Sequence, residues 1–260
     1  MEELKLGALA PVHDCRTLQI AEVLKLDLPP IPEFFTADEL VGNAIPNPMY
    51  ANDKIGDCVI ASQAHWMRRS NYPDHGELLP ITESEVKREY YFQCGWTGMC
   101  FDSVSKYAGR GLVMLPSLKK LRTDGWVAGK AIRRIHAFGS VNWNDYQLLK
   151  ACMYLFLGCY TAVGLPKSAS KQRGDKKIWS ISDTDNAVAS WGYHCMDLNG
   201  IVKDGNTPLL EWITWGSKQY STVEWGLKYL VEAYALVDDK ENPNSPVDME
   251  RLEAYLESVK

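Results

Sequence analysis

The chain has 260 residues, of which 46% are hydrophobic and 23% charged, an ordinary composition for a globular protein. Its net charge is −5, and lysine and arginine are scattered rather than gathered in a stripe, which argues against a nucleic-acid-binding surface. The longest apolar stretch, residues 151–165, is too short to cross a bilayer, and no basic start followed by an apolar run opens the chain. We therefore expect a cytoplasmic protein, or a virion protein if a phage encodes it, without membrane or nucleic-acid partners.

Three regions follow one another along the chain. Residues 1–50 are rich in proline and other turn formers, which predicts an extended segment that wraps the domain. Residues 51–240 form the main domain, and residues 241–260 contain an amphipathic pattern that predicts a C-terminal helix starting near Ser245-Pro246. No internal repeat or low-complexity tract divides the chain further.

The first part of the main domain is predicted to be helical. Each helix is indicated by a capping residue or by a proline in its first turn. These start signals are Asp57, the capping-box pair Thr82 and Glu85, Pro116, and Asp145.

The hydrophobic pattern then changes to that of strands, at residues 160–165, 194–202, 208–216 and 233–237. A strong turn signal around residues 203–206 predicts that the second and third of these strands form a hairpin. Helices first and strands later indicate an α+β architecture rather than an alternating one.

The cysteines do not form an obvious disulfide framework or metal site. Their number is odd and no secretion signal precedes them, so disulfides are not expected. Cys94 and Cys100 are close in sequence but lack a second pair of ligands, and no phosphate-binding or metalloprotease motif occurs. We expect neither a metal nor a cofactor. The seven cysteines are Cys15, Cys58, Cys94, Cys100, Cys152, Cys159 and Cys195.

Cys58 differs from the other cysteines by its position at the start of a predicted helix. Unpaired backbone N–H groups and the helix dipole favour an anion there, and a thiolate is the nucleophilic form of cysteine. The neighbouring Asp57 opposes a second negative charge, which a nearby imidazolium would offset. A buried structural cysteine would also fit this position, so the functional interpretation depends on a matching base.

His194 is the best candidate for that base. His65 lies on the same predicted helix as Cys58, about 10 Å along its axis, which is too far for a hydrogen bond. His13, His75 and His136 fall in the irregular N-terminal segment, in a predicted surface loop and at a predicted strand or edge position. His194 begins a predicted strand, and a histidine on a strand that faces a cysteine on a helix suits a thiol–imidazole pair.

Three segments resemble papain-like cysteine peptidases. The run NDKIGDCVIASQAHW resembles the nucleophile segment, SWGYHCMDLNGI the histidine strand, and LEWITWG the strand that follows it. His194 also follows Cys58 by 136 residues, within the spacing of roughly 130–150 residues typical of that arrangement. The resemblance implies an α+β papain-like fold, with a helical N-terminal half carrying Cys58 and an antiparallel β-sheet or barrel C-terminal half carrying His194.

The order of the motifs is more closely similar to an uncharacterised group of papain-fold proteins in bacterial and phage genomes. Members of that group have GDC at the nucleophile and a GLxLP-type strand, followed by a WGxH stretch, a TWG and an EAY. The matching residues here lie in the same order, at Gly164-Leu165-Pro166, Trp191-Gly192-Tyr193-His194, Thr214-Trp215-Gly216 and Glu232-Ala233-Tyr234.

The resemblance also suggests roles for two further residues. Asn52 lies six residues before Cys58, where the family has a glutamine that stabilises the oxyanion. The asparagine that orients the histidine in the family would fall at Ile213, which cannot hydrogen-bond an imidazole. The predicted hairpin brings residues 213–215 opposite His194, so Thr214 is the nearest candidate to orient it.

These features imply a thiol hydrolase, either a cysteine peptidase or a related acyl or amide hydrolase such as a cell-wall amidase, with a peptide or protein substrate. A weakly active or inactive papain-fold protein with a structural role, for example one assembled with phage structural proteins, is the alternative. The missing asparagine and the absence of an obvious pro-segment favour that alternative. We expect Trp215 to cover the edge of His194, although packing in the core would also explain this tryptophan.

Overall fold

The computed structural model describes residues 4–42, 44–97, 106–173, 177–238 and 245–259. Cys100, which is close to Cys94 in sequence, lies outside these residues. Over the described ranges, no helix is both long enough and apolar enough to cross a bilayer.

Three of the predicted helix starts agree with the structure, although the Asp57 side chain makes no capping hydrogen bond. Asp57 precedes the long helix α2, the side chains of Thr82 and Glu85 form the predicted capping box of α3, and Asp145 accepts a hydrogen bond from the third residue of its helix. The helices are α1 (Ala37–Leu40), α2 (Cys58–His75), α3 (Glu83–Gln93), α4 (Met114–Thr123), α5 (Tyr146–Leu155), α6 (Lys167–Lys171), α7 (Val223–Tyr229) and α8 (Met249–Ser258).

Two helix starts differ from prediction. Helix α4 begins at Met114, two residues before Pro116, which the helix tolerates because the first four N–H groups have no partner within the helix. Helix α8 begins after Asp248 rather than near Ser245, because the Asp248 carboxylate accepts a hydrogen bond from the Arg251 N–H.

An eight-stranded sheet forms the second half of the fold. Its strand order is β4-β10-β5-β7-β8-β9-β6, with β1 also paired to β7, and neighbouring strands are antiparallel except for β6 and β9. The strands are β1 (Phe35–Thr36), β2 (Trp126–Ala128), β3 (Ala131–Arg133), β4 (Ala137–Ser140), β5 (Cys159–Leu165), β6 (Ile178–Trp179), β7 (Gly192–Asp204), β8 (Thr207–Thr214), β9 (Ser217–Thr222) and β10 (Leu230–Val237). Strands β2 and β3 form a separate two-stranded sheet.

The predicted hairpin between β7 and β8 is present. Asp204 pairs with Thr207, and Gly205 in the turn has φ +59°, a conformation that glycine adopts without the penalty of a side chain. This register brings the end of β8 alongside the beginning of β7, where His194 lies.

Two hydrophobic cores lie on opposite faces of the sheet. One contains Cys58 and Ile60 of α2 together with buried residues of α3 and α4, and meets the sheet at Cys195 and Tyr160. The other packs α5, α7 and α8 against the opposite face, with Trp212 near its centre. The fold is therefore α+β, with a helical half and a sheet half joined along α2 and β7.

The N-terminal segment contacts both halves of the fold. Ala8 pairs with residues of both halves, Gln19 pairs with Ser140, and Leu24 pairs with Val247. The segment is not wholly extended, however, since it also contains β1 and α1. The turn formers gave no indication of α1, which begins at a capping box formed by Thr36 and Glu39.

The buried side chain of Arg69, on α2, attaches α1 and the loop between α1 and α2 to that helix. Arg69 has 1% of its side chain exposed, and its guanidinium lies 3.4 Å from the Asp38 carboxylate and 2.7 Å from the Asn47 amide oxygen. Arg69 Nη1 also donates to the Asp197 carboxyl on β7 at 3.5 Å, and burial raises the pKa of that carboxyl to about 8. Arg69 therefore joins α1, the loop after it and β7 to α2.

Replacing this arginine should destabilise the fold strongly. We expect Arg69→Met to lower the free energy of unfolding by about 3–5 kcal/mol, because the substitution leaves buried polar groups without their cation. The exposed pair Lys87–Glu83, 3.5 Å apart on α3, provides a control, and Lys87→Met should cost about 1 kcal/mol or less. Urea denaturation of both variants measures the difference, and equal losses would contradict the importance of the buried pair.

A buried neutral histidine on α2 predicts how stability depends on pH. His65 is 3% exposed and its Nε2 lies 2.9 Å from the Pro48 carbonyl oxygen, while burial lowers its pKa to about 3. The unfolded chain takes up a proton at this residue below about pH 6.5, whereas the folded chain does so only near pH 3, so the contribution of His65 is lost as the pH falls.

The free energy cost of His65→Gln should therefore shrink as the pH is lowered. We expect it to be smaller at pH 4 than at pH 7 by about 1–3 kcal/mol, measured by denaturant titration at each pH. A cost that stays constant or grows between pH 7 and pH 4 would show that His65 is not kept neutral by burial.

Candidate active site

Cys58 is the first residue of α2 and is almost completely buried, with 1% of its surface exposed. Its sulfur accepts a hydrogen bond from the Cys195 N–H of β7 at 3.3 Å. The backbone N–H groups of Val59 and Gly7 also lie where they favour a thiolate. The predicted position of Cys58 at a helix start is therefore confirmed. Its sulfur faces the sheet.

His194 lies directly beside this contact. The N–H that reaches the sulfur belongs to the peptide bond between His194 and Cys195, so the Cys58 sulfur is against the backbone of the candidate base. His194 is fully buried, and its Nδ1 has no hydrogen-bond partner among the described residues. The structure thus places the Cys58 sulfur against the strand that carries His194, but no hydrogen bond joins the sulfur to the His194 ring.

Thr214 at the end of β8 holds the other side of the His194 ring. The distance between His194 Nε2 and Thr214 Oγ1 is 2.7 Å, and both residues are buried. The hairpin register predicted this neighbour, because a short turn brings the end of β8 back to the start of β7. Ile213, the neighbour of Thr214, is part of the buried apolar surface.

Trp215 covers His194, as expected from the sequence. The two rings are stacked, with centroids 4.1 Å apart and planes at 14°. Trp215 has φ +43° in the two-residue turn between β8 and β9, a left-handed conformation that is unfavourable for a bulky residue. In this conformation the turn places the Trp215 indole over the His194 ring. Arg173 lies over the outer face of Trp215, 5.3 Å from the ring centroid.

Asn52 lies in the loop before α2 and contacts Asp57. Its amide Nδ2 donates to Asp57 Oδ1 at 3.0 Å, and both side chains are buried. Burial raises the pKa of Asp57 well above its usual value, and Asp57 Oδ2 has no hydrogen-bond partner within the described part of the chain. Sequence reasoning missed this pair. A protonated Asp57 opposes a neighbouring thiolate less than the charged residue assumed from the sequence would.

Burial keeps both members of the Cys58–His194 pair neutral in this structure. It raises the pKa of the Cys58 thiol to about 12, an effect that the surrounding N–H groups only partly offset. It also lowers the pKa of His194 to about 3, with the charge of Arg173 as a smaller cause. An ion pair between sulfur and imidazole therefore requires water or substrate to enter the cleft between the two halves.

The N-terminal segment fills that cleft. Ala8 pairs with Leu112 of the helical half and with Tyr193, the neighbour of His194. Trp215 Nε1 donates to the Lys5 carbonyl oxygen at 3.2 Å. Residues 1–50 were expected to wrap the domain, but no sequence signal indicated that their first part would cross the candidate site.

No protein-family model matches the chain, and no characterised protein matches it in sequence. Solved structures do match. Xylellain, a cysteine protease from Xylella fastidiosa, aligns with a TM-score of 0.67 and 10% identity over 92% of this chain and 99% of its own. A procathepsin B from Trypanosoma congolense aligns with a TM-score of 0.60 and 13% identity over 90% of this chain and 87% of its own.

The ragweed pollen allergen Amb a 11, a cysteine protease in its proform, aligns with a TM-score of 0.58 and 10% identity over 82% of this chain and 69% of its own. At such low identities these alignments establish the architecture alone. The chain therefore has the papain-like fold of these cysteine proteases, with Cys58 at the start of its long helix and His194 on the central strand of its sheet.

Proposed function

We propose that the protein is a thiol hydrolase of peptide bonds, or of closely related amide and acyl bonds, with Cys58 as nucleophile and His194 as base. One observation carries the proposal. The Cys58 sulfur lies at a helix start against the peptide of His194, whose ring is held on one side by Thr214 and has an unpaired nitrogen on the other. The cysteine proteases that share the fold support peptides or proteins as the substrate class.

In this proposal, the His194 ring carries its proton on Nε2. This N–H donates to the Thr214 hydroxyl oxygen, 2.7 Å from Nε2, and Nδ1 is left as the acceptor. An acceptor at Nδ1 can take the proton of the Cys58 thiol. A hydroxyl orients the ring as the amide oxygen of an asparagine would, but through a single neutral hydrogen bond.

The reaction then has two stages. His194 Nδ1 takes the thiol proton, and the Cys58 thiolate attacks the carbonyl carbon to form a C–S bond. As the C–N bond breaks, His194 gives its proton to the leaving amine, so that a thioester remains. Water, deprotonated by His194, attacks the thioester, the C–S bond breaks, and the acid product leaves with the thiolate restored.

Two N–H donors are proposed for the oxyanion that forms in each stage. The backbone N–H of Cys58 is at the first position of α2 and has no partner within the helix. The Asn52 amide has two N–H groups, and Asp57 needs only one of them. In this proposal, Asp57 orients the amide while the second N–H stabilises the oxyanion.

Loss of the thiol should abolish hydrolysis. We expect Cys58→Ser to reduce the cleavage of a fluorogenic peptide mixture by at least about 1,000-fold, because the hydroxyl is a much weaker nucleophile. Cys15→Ser, which alters an exposed thiol, should leave the rate unchanged. Both substitutions should be assayed in the unaltered chain and together with Gly7→Ala, which disturbs the segment filling the cleft.

A chain that cleaves equally well with and without Cys58 would exclude the proposed nucleophile. Absence of cleavage by any form of the protein, with Cys58 accessible to a thiol reagent, would favour a structural role instead.

The role of Thr214 can be separated from its packing. Thr214→Val keeps the shape of the side chain but removes the hydroxyl, so we expect kcat to fall about 10–100-fold with little change in KM. Thr214→Ser restores the hydroxyl and should recover most of kcat. Steady-state kinetics in the Gly7→Ala background measure both, and equal losses in the two variants would indicate a packing role only.

A further inference from the structure

Arg173 lies at the rim of the candidate site, on the side of His194. Its guanidinium carbon lies over one face of the Trp215 indole, 5.3 Å from the ring centroid, and the His194 ring is stacked on the other face. A cation over an indole is attracted by the negative face of the ring. The three side chains therefore form one stack, in which a single indole separates the guanidinium from the imidazole.

The backbone beside Arg173 is held in place by its neighbour Gln172. The Gln172 amide forms a reciprocal pair of hydrogen bonds with Ser180: Nε2 donates to Ser180 Oγ at 3.3 Å, and Oε1 accepts from the Ser180 N–H at 3.0 Å. The Gln172 N–H also donates to the Ala169 carbonyl oxygen of α6 at 3.1 Å. These contacts attach the backbone at residue 173 to α6 and to the end of β6, so the guanidinium starts from a fixed position.

Arg173 differs from the basic side chains around it because its charge has no partner. Lys171 Nζ lies 2.6 Å from the Asp185 carboxylate, and Lys177 Nζ donates to the Lys171 carbonyl oxygen at 3.3 Å. The Arg173 guanidinium forms neither a hydrogen bond nor an ion pair with any residue that the structure describes. Burial lowers the pKa of Arg173, so the surrounding protein disfavours the charge. A partly buried guanidinium whose N–H groups lack an acceptor is suited to bind an anion.

The place of Arg173 relative to His194 indicates which part of a substrate reaches it. In the proposed reaction, His194 gives a proton to the leaving amine, so the leaving part of the peptide begins beside the His194 ring. Trp215 covers this ring, and Arg173 lies beyond Trp215. An extended chain advances about 3.3 Å per residue, so the second or third residue of the leaving part reaches the guanidinium.

We propose that Arg173 is a specificity-determining residue, which binds a carboxylate at the second or third residue of the leaving part of the substrate. This inference rests on the proposed function for the direction of the peptide, and it adds the substrate class. An Asp or Glu side chain and a C-terminus present the same pair of oxygens, which a planar guanidinium binds through two parallel N–H···O bonds. Pairing would also neutralise a charge that disfavours a protonated His194.

Peptide binding to a full-length chain that cannot cleave tests the site without relying on the reaction. The protein is Cys58→Ala, alone and combined with Gly7→Ala, whose added Cβ atom would overlap the Gly56 carbonyl group and disturb the segment filling the cleft. The probes are fluorescently labelled octapeptide pools of uncharged residues. One pool ends in a free carboxylate, a second ends in a carboxamide, and a third ends in a carboxamide but has one Glu at a varied position.

Fluorescence polarisation measures the Kd of each pool. We expect a carboxylate pool to bind at least about 10-fold more tightly than the uncharged pool, because hydrogen bonds between charged groups are the strong ones. Raising NaCl from about 50 to about 500 mM should reduce this preference, since salt screens a partly exposed pair. Preference for the free-carboxylate pool alone would identify the C-terminus as the bound group, and preference for the Glu pool alone would identify a side chain.

Two matched substitutions, each removing one positive charge from the same segment, assign the preference to Arg173. Arg173→Gln should abolish it, whereas Lys171→Gln should leave it unchanged within about 2-fold, because Lys171 is already paired with Asp185. Carboxylate pools that bind no more tightly than the uncharged pool would overturn the proposal. A preference that survives in Arg173→Gln, or that falls equally in both variants, would overturn it as well.

Cleavage of the same pools by the chain that retains Cys58 separates this inference from the proposed function. Mass spectrometry of the products locates the broken bonds. Carboxylate-dependent binding at Arg173 without cleavage by any form of the protein would support the site and reject the thiol hydrolase. Cleavage that requires Cys58, but shows no preference for a carboxylate at the second or third residue of the leaving part, would keep the hydrolase and reject the role of Arg173.

Discussion

The contact between the start of α2 and the beginning of β7 is the interaction on which the candidate site depends. Two hydrogen bonds join the start of α2 to the sheet half here: the Cys195 N–H donates to the Cys58 sulfur, and the Tyr160 hydroxyl donates to the Val59 carbonyl oxygen at 2.8 Å. One of the two hydrophobic cores packs α2 against this face of the sheet. His194 and Cys195 are neighbours on one strand. The contact that holds Cys58 against Cys195 therefore also fixes the position of Cys58 relative to the backbone of His194.

Burial also decides the charge state of Cys58 and His194. A neutral thiol and a neutral imidazole are favoured when both are removed from water, and a helix start with several N–H groups does not overcome that penalty for Cys58. The two neutral side chains therefore form no ion pair in this structure.

Two segments of the candidate site contain non-glycine residues with positive φ angles. Trp215 adopts a left-handed conformation in a turn that would suit asparagine or glycine, and in doing so it stacks on His194. Tyr50 and Ala51 have positive φ angles just before Asn52, in the loop that leads to Cys58. Departures from local preference of this kind concentrate at functional positions, where other interactions offset the strain.

The sequence by itself determined the features that depend on residues close together in the chain. Capping residues located α3 and α5, and the turn at Gly205 predicted the hairpin of β7 and β8, because caps and tight turns act over three or four residues. Only the tertiary structure decided that residues 4–9 cross the cleft, that Asn52 bonds to Asp57, and that Arg69 holds α1. Almost any sequence can form backbone pairing across the cleft, so the residues of this segment do not predict it. Burial sets the pKa values of Cys58, Asp57 and His194, and burial is a property of the assembled fold.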